Sequence, residues 1–249
     1  MRAGKLATRL VALGVAALLA CAAVACAESA VAPNHDEPTP PPEATENISV
    51  VISDAVILSA HLFGSDNDPV VILSHMRPND QTAWYAFAQE LAAHGYAALT
   101  FDFRGYGQST GREDFATLDD DLSAVIQYMR DRGRTEIFLL GASMGATTSL
   151  VVAGDAGVKA VVAISPPAQF DSQDGLAAVP NLRLPKLFVA SEGDAPALQF
   201  DELYAAAAQP KEQTLYPGNA HGTDLFDPDK NEEAAAVGGR IIDFLDEQR

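Results

Sequence analysis

A buried strand that runs directly into a glycine-flanked serine constrains this fold more than any other feature of the chain. The four apolar residues 137–140 precede the sequence Gly141-x-Ser143-x-Gly145, and a run of small residues, 146–153, follows it. Glycines in such a turn permit a strained backbone and let a helix pack closely behind the strand. The pattern predicts a strand–turn–helix unit that lifts the Ser143 hydroxyl clear of a sheet, above a helix N-terminus that favours negative charge.

Strand-like and helix-like segments alternate from residue 48 to the end of the chain. Predicted strands cover residues 48–52, 56–63, 70–73, 96–101, 136–140, 158–165, 187–190 and 213–216. Predicted helices cover residues 82–93, 115–129, 146–153 and 232–247. This alternation predicts one α/β domain over residues 48–249, with a mostly parallel, doubly wound sheet led by an antiparallel hairpin. The short polar segment 166–186 predicts a minimal lid or none.

Residues 1–27 have the pattern of an export signal. Three basic residues precede an apolar run over residues 10–25, which is short for a membrane span. Cys21 and Cys26 each follow three residues that resemble a bacterial lipobox, in which the cysteine is lipidated. We therefore predict an exported lipoprotein at the cell surface or in the periplasm, anchored through one of these cysteines. The alternative is cleavage after Ala25 or Ala27 and secretion.

The segment between the leader and the domain, residues 28–47, is rich in proline and acidic residues. It has no large apolar residue except Val31, so it cannot build a core and is predicted to be a disordered tether. Such a tether would suit a domain held away from a membrane by a lipid anchor, but it would suit a secreted protein as well.

Charge and cysteine usage exclude several classes of function. The formal net charge is −18, from 34 acidic and 16 basic residues, and no basic patch is evident. We therefore expect no nucleic-acid partner and no membrane contact except through the leader. Both cysteines lie in the leader, so the domain has no thiol nucleophile or disulfide. Because the sequence also lacks a metal-ligand cluster, a P-loop and a GxGxxG motif, we expect no metal and no cofactor.

A serine nucleophile needs a base and a carboxylate that orients the base. His221 lies in a glycine-flanked loop after the last predicted strand and is the predicted base. The tether and packing positions account for three other histidines: His35, His61 and His94. Asp194 follows the strand 187–190 and is the predicted carboxylate, because ligands bind at the carboxyl ends of strands in open α/β sheets. Glu192 and Asp224 are the alternatives.

The order Ser143, Asp194, His221 is that of the catalytic triad in the α/β-hydrolase superfamily of serine hydrolases, and the chain resembles that family. The sequence from Asp102 to Ser109 resembles its D-x-R-G-x-G-x-S turn. Similar matches are Leu184-Pro185 and the strand within residues 158–166. The resemblance covers residues 48–249 and implies the α/β-hydrolase fold with an esterase- or lipase-like activity. We expect the glycine-rich turn to be structural, with its arginine, Arg104, paired to a carboxylate.

One loop departs from the family pattern. Where the family has His-Gly-x after its third strand, this chain has His75-Met76-Arg77-Pro78. The resemblance implies that this loop supplies one oxyanion N–H, from Arg77 or alternatively Met76, and that Met144 supplies the other. His75 and Arg77 are also predicted to contact substrate. For the Arg77 side chain, a surface ion pair is the alternative.

The resemblance implies two-step acyl transfer on a small or exposed ester substrate. A thioesterase, a peptidase and a cofactor-free perhydrolase share the same residues, and fold analogy does not separate them. A different reading is a catalytically idle surface lipoprotein that uses the hydrolase fold as a binding module, which the altered loop at residues 75–78 would favour. The sequence leaves the oligomeric state open.

Overall fold

The computed structural model of this chain describes residues 44–53, 55–65, 69–195 and 199–249. The predictions for the leader, for Cys21 and Cys26, and for all but the last four residues of the tether lie outside these ranges and stay predictions. None of the helices described is long and apolar enough to cross a membrane.

The described residues form ten strands and six α-helices. The strands are β1 Glu46–Ser53, β2 Val56–Phe63, β3 Val70–Ser74, β4 Ala97–Phe101, β5 Ile137–Ala142, β6 Ala160–Ile164, β7 Gln169–Phe170, β8 Gln173–Asp174, β9 Lys186–Ser191 and β10 Lys211–Tyr216. The helices are α1 Tyr85–Ala93, α2 Leu118–Asp131, α3 Met144–Ala156, α4 Gly175–Ala178, α5 Phe200–Ala206 and α6 Ala234–Asp246. Three 3-10 helices accompany them: Gln81–Trp84, Phe115–Thr117 and Gly222–Phe226.

One twisted sheet organises the described part of the chain, and it has the predicted architecture. Its eight strands follow the order β1-β2-β4-β3-β5-β6-β9-β10. The leading hairpin pairs antiparallel, and β2 pairs antiparallel with β4. All the remaining neighbours pair in parallel. The prediction of a mostly parallel sheet with a leading antiparallel hairpin is therefore confirmed.

Hydrophobic cores cover both faces of this sheet, which explains why its central strands are almost entirely apolar. Every residue of β3, β4, β5 and β6 is buried. On one face the core includes apolar side chains from α2, α3 and α5. On the other face it includes those of α1 and α6.

Some element bounds differ from the sequence predictions. Strand β1 begins at Glu46, two residues before the predicted start, and β10 begins at Lys211 rather than residue 213. The predicted helix 82–93 is a 3-10 turn followed by α1. Between β6 and β9, the fully described segment 166–186 contains only the β7–β8 ribbon and the four-residue α4, so it has no lid domain.

The parallel strands bring their carboxyl ends to one edge of the sheet. His75 follows β3, Ser143 follows β5 and Ser165 follows β6 at this edge. Asp194 follows β9, and His221 lies in the loop after β10. Four of these five residues were predicted site residues, and the sheet gathers them from positions far apart in the sequence.

Candidate active site

Ser143 occupies a strained turn between β5 and α3. Its φ of 48° lies in the left-handed region, which is unfavourable for a residue with a Cβ. The Ser143 amide donates a hydrogen bond to the Ile164 carbonyl at 2.8 Å, and the Ser143 carbonyl accepts one from Thr147 at 3.0 Å. The strand–turn–helix unit predicted from the sequence is present, and these two backbone hydrogen bonds stabilise its strained conformation.

The two glycines of the turn are required by close backbone approach. A Cβ on Gly145 would lie 2.7 Å from the His75 carbonyl oxygen, which no real side chain tolerates. A Cβ on Gly141 would lie 2.6 Å from the Ala146 nitrogen. The first turn of α3 therefore packs directly against the ends of β3 and β5, as the sequence predicted.

His221 and Asp194 form a close pair at the same edge of the sheet. The His221 Nδ1 atom lies 2.9 Å from Oδ1 and 3.0 Å from Oδ2 of Asp194. The Asp194 side chain is fully buried, whereas the His221 side chain is 24% exposed. Burial next to a hydrogen-bond donor suits a carboxylate whose role is to orient an imidazole.

The two alternative carboxylates have other environments. Asp224 binds the Lys230 ammonium at 2.8 Å. Glu192 is exposed to solvent, and its backbone amide binds the Tyr216 carbonyl. Of the three predicted candidates, Asp194 is thus the one that contacts His221.

The His221 loop packs beside the serine turn. A Cβ on Gly222 would lie 3.5 Å from the Ala142 Cβ atom, so the residue after the histidine approaches the residue before Ser143. The structure records no hydrogen bond between the Ser143 hydroxyl and the His221 ring within the described ranges. Catalytic hydrogen bonds are often long in ligand-free enzymes and tighten when substrate binds.

The backbone amides predicted as oxyanion donors are those of Met144 and Arg77. Met144 is the first residue of α3, so its N–H has no partner within the helix. Neither this N–H nor that of Arg77 donates to another group in the part of the chain that the structure describes. Free amides at a helix N-terminus can stabilise an oxyanion. The roles predicted for Arg77, Met76 and Met144 remain proposals.

The His75 side chain is buried and binds backbone groups of neighbouring loops, so it does not line the site. Its side chain is fully buried, and its ring contacts the rings of Phe103 and Tyr106. The Phe103 amide donates to Nε2 at 3.1 Å, so Nδ1 carries the proton and donates to the Met76 carbonyl at 3.0 Å. Burial lowers the pKa of His75, which is consistent with a neutral ring. With both nitrogens occupied, His75 has no polar atom left for substrate, which corrects its predicted role.

The Arg77 side chain extends to the surface. It is 51% exposed, and its guanidinium lies 3.6 Å from a Glu113 carboxylate oxygen. The guanidinium also lies over the Phe115 ring, 5.0 Å from its centroid. The ion pair that the sequence left open as an alternative is present, and contact between this side chain and substrate stays a proposal.

The glycine-rich turn has the structural role that was predicted. Asp102 is buried and accepts hydrogen bonds from the amides of Gln81 and Gln108 at 2.8 and 2.9 Å. The Arg104 guanidinium binds the buried Asp121, whose carboxylate also accepts the Arg104 amide at 3.0 Å. The turn connects β4 to α2, and its contact with the Ser143 edge is through Phe103 and Tyr106, which pack on His75.

The sequence reasoning overlooked two serines that contact the His221 loop. Ser191 donates a hydrogen bond to the Ala220 carbonyl, and Ser165 accepts one from the Gly222 amide. Their position at the carboxyl ends of two apolar strands was a usable signal, because polar residues there face the site edge.

Among the described residues, no group of three or more histidine, cysteine, aspartate or glutamate side chains could hold a metal ion.

Comparison with known proteins gives one family match. The model of Hydrolase_4, described as serine aminopeptidase S33, matches residues 65–193, just over half of the chain. Among curated relatives, the uncharacterized protein YfhR of Escherichia coli K12 is 24% identical, and the match covers 83% of this chain and 82% of YfhR.

Solved structures share the fold over most of the chain. The esterase PF2001 of Pyrococcus furiosus superposes with a TM-score of 0.71 at 19% identity, covering 82% of this chain and 90% of PF2001. Est1E of Butyrivibrio proteoclasticus, solved with ferulic acid bound, has a TM-score of 0.69 at 18% identity and covers 81% and 98%. The monoacylglycerol lipase of Paleococcus ferrophilus has a TM-score of 0.66 at 16% identity and covers 77% and 99%.

Proposed function

Because the chain belongs to the Hydrolase_4 family of α/β-hydrolases, we propose that it is a serine hydrolase that cleaves a carboxylic ester. The observation that carries this proposal is the pairing of His221 with the buried Asp194 at the sheet edge that also bears the strained Ser143. With Nδ1 bound to Asp194, the histidine keeps Nε2 for the serine proton.

The proposed reaction has two steps. His221 Nε2 removes the proton of Ser143 Oγ, which attacks the carbonyl carbon, and the amides of Met144 and Arg77 stabilise the oxyanion. The proton then passes from Nε2 to the leaving alcohol, and the acyl group stays on Oγ. Water attacks this acyl-enzyme after His221 takes one of its protons, and the acid leaves as Oγ is reprotonated. Asp194 stays ionised and orients the imidazole throughout.

An ester is the substrate best supported. The solved neighbours include proteins named as an esterase, a monoacylglycerol lipase, an enol-lactonase and a thioesterase domain, whereas the family description names a serine aminopeptidase. The short segment between β6 and β9 leaves the site without a lid domain, which favours a small or exposed substrate. A thioesterase, a peptidase and a perhydrolase would use the same groups, and thioesters and aminoacyl anilides are therefore tested as alternative substrates.

We also propose export as a lipoprotein, with a lipid on Cys21 or Cys26.

The proposal is tested by labelling the purified full chain with a fluorophosphonate probe. We expect the wild type to be labelled and the Ser143→Ala variant to remain unlabelled while it melts at a similar temperature. Rates on p-nitrophenyl esters of increasing acyl length, compared with thioester and aminoacyl-anilide substrates, then identify the class of bond. A folded wild type that neither labels nor hydrolyses any of these would favour the binding module instead.

A further inference from the structure

Two buried hydroxyl groups hold the backbone on either side of His221. The Ser191 hydroxyl donates to the carbonyl of Ala220, the residue before the histidine, at 2.8 Å. The amide of Gly222, the residue after it, donates to the Ser165 hydroxyl at 2.9 Å. Ser191 is 3% exposed, and Ser165 is fully buried.

We propose that Ser165 and Ser191 are positioning residues that aim the His221 imidazole, an inference that rests on the proposed function. Each hydroxyl fixes one of the peptide planes that flank His221. Because the two planes set the backbone dihedrals of the residue between them, they also set the direction of its Cα–Cβ bond. The imidazole is thereby directed before substrate arrives.

The two serines lie at the carboxyl ends of neighbouring strands, so the clamp that Ser165 and Ser191 form around His221 is anchored in the sheet. Ser191 is the last residue of β9, and Ser165 directly follows β6, which pairs with β9. Ser191 also supports the acid of the site, because its carbonyl accepts a hydrogen bond from the Asp194 amide at 3.2 Å. The end of β9 therefore contacts both the loop that carries the base and the loop that carries the carboxylate.

Ser165 adopts a backbone conformation that a serine does not prefer. Its φ is +50°, in the left-handed region where glycine is the unstrained residue. A glycine here would relieve the strain but would leave the Gly222 amide without its acceptor. Strain of this kind persists at functional sites where a particular side chain is needed. The backbone at this position would favour glycine, so the presence of a serine indicates that its hydroxyl is needed.

The experiment compares four variants of the full chain with wild type on a p-nitrophenyl ester. For Ser191→Ala and Ser165→Ala we expect kcat to fall on the order of 10- to 100-fold with KM nearly unchanged, because misplacement of a catalytic group has effects of this size. Ser191→Thr keeps the hydroxyl and is expected to restore most of kcat. Ser165→Gly relieves the strain and is expected to melt at a higher temperature than Ser165→Ala, while its kcat stays as low as that of Ser165→Ala.

Three results would overturn the positioning role. The first is unchanged kcat in both alanine variants, the second is recovery of kcat in Ser165→Gly, and the third is a kcat loss that follows the loss of stability across all four variants. Any of them would leave the serines as structural hydrogen-bond partners only. The ester assignment would survive all three, because wild-type activity is measured independently.

A spectroscopic measurement keeps the inference testable without turnover. The His221 Nδ1 proton shared with Asp194 gives a far-downfield proton NMR resonance while the pair is aligned. We expect the resonance in wild type and Ser191→Thr, and its loss or broadening in both alanine variants. An unaltered resonance in the alanine variants would refute the clamp, whereas wild-type protein without hydrolase activity would refute only the proposed reaction.

Discussion

At the scale of single residues, the loop after β3 directs the side chains of His75 and Arg77 in opposite directions. His75 turns into the core and binds backbone groups with both ring nitrogens, while Arg77 turns outward to Glu113 and Phe115. The Met76 carbonyl that His75 binds and the Arg77 amide belong to the same planar peptide group. His75 therefore orients the amide that we propose as an oxyanion donor.

This geometry predicts how substitutions of His75 affect turnover. His75→Leu removes the hydrogen bond to the Met76 carbonyl and frees the peptide to rotate, so kcat/KM on a p-nitrophenyl ester should fall on the order of 10- to 100-fold. His75→Asn keeps a donor near the Nδ1 position and should retain more activity than His75→Leu. Equal activity in wild type and His75→Leu, measured on folded protein, would show that the peptide is held by other contacts.

A second prediction separates the Arg77 amide from the Arg77 side chain. Arg77→Gln keeps the N–H, and an exposed ion pair contributes at most about 1 kcal/mol, so stability and activity on neutral esters should change little. Arg77→Pro removes the N–H and should lower kcat about 100- to 1000-fold, the usual effect of losing an oxyanion donor. Thermal melts identify variants that fail to fold. High activity in folded Arg77→Pro would move the donor to Met76.

At the scale of secondary-structure elements, the site depends on how closely α3 approaches β3. Gly145→Ala would drive a methyl group into the carbonyls of Ser74 and His75, so we expect a loss of about 1–3 kcal/mol in unfolding free energy and reduced labelling of Ser143. Gly239→Ala on α6 is the matched control, since nothing lies within 4 Å of its added Cβ. This control should gain about 0.5–1 kcal/mol. Urea unfolding measures both, and a neutral Gly145→Ala would contradict the packing argument.

The opposite end of β9 carries a buried lysine without a carboxylate partner among the described residues. The Lys186 ammonium donates to the carbonyls of Ala208 and Pro210 at 2.7 and 2.9 Å. Burial, together with the nearby charges of Lys211 and Arg183, lowers its pKa to about 8. The ammonium form is therefore less favourable in the folded protein than in the unfolded chain.

The lowered pKa of Lys186 predicts a pH dependence of stability. Between about pH 8 and the usual lysine pKa of 10.5, the unfolded chain binds more protons at this site, so unfolding free energy should rise with pH. The rise should be on the order of 1–3 kcal/mol and should be absent from Lys186→Met. Urea unfolding of both proteins at pH 7, 8, 9 and 10 gives the difference. Parallel curves would contradict the prediction.

At the scale of the whole molecule, the leader predicts a lipid anchor. The lipobox-like sequences predict that a palmitate analogue fed to expressing bacteria labels the protein through Cys21 or Cys26. Single alanine variants of the two cysteines should identify the site, because only one of them should abolish labelling. Secretion of unlabelled wild-type protein into the medium or periplasm would support cleavage without lipidation instead.

Much of the architecture follows from local pattern in the sequence. The apolar runs, their alternation with helices and the glycine-flanked serine predicted the parallel sheet and the turn at Ser143, because buried strands and tight turns restrict residue choice locally. Element ends were predicted less well, as β1 and β10 show, because strand pairing extends beyond the apolar residues. The inward rotation of His75 was not predicted, since its partners Phe103 and Met76 are set by the neighbouring loops.

The sequence by itself determined that Ser143 sits on a strained turn between strand and helix, because that requirement acts within a few consecutive residues. The sequence offered Asp194 as the carboxylate for His221, with Glu192 and Asp224 as alternatives. Only the tertiary structure decided which of the three contacts the histidine. Strands β9 and β10 pair in parallel, and this adjacency brings Asp194 to the histidine. The clamp formed by Ser165 and Ser191 was likewise decided by sheet order, because its hydrogen bonds join residues 29 and 57 positions apart.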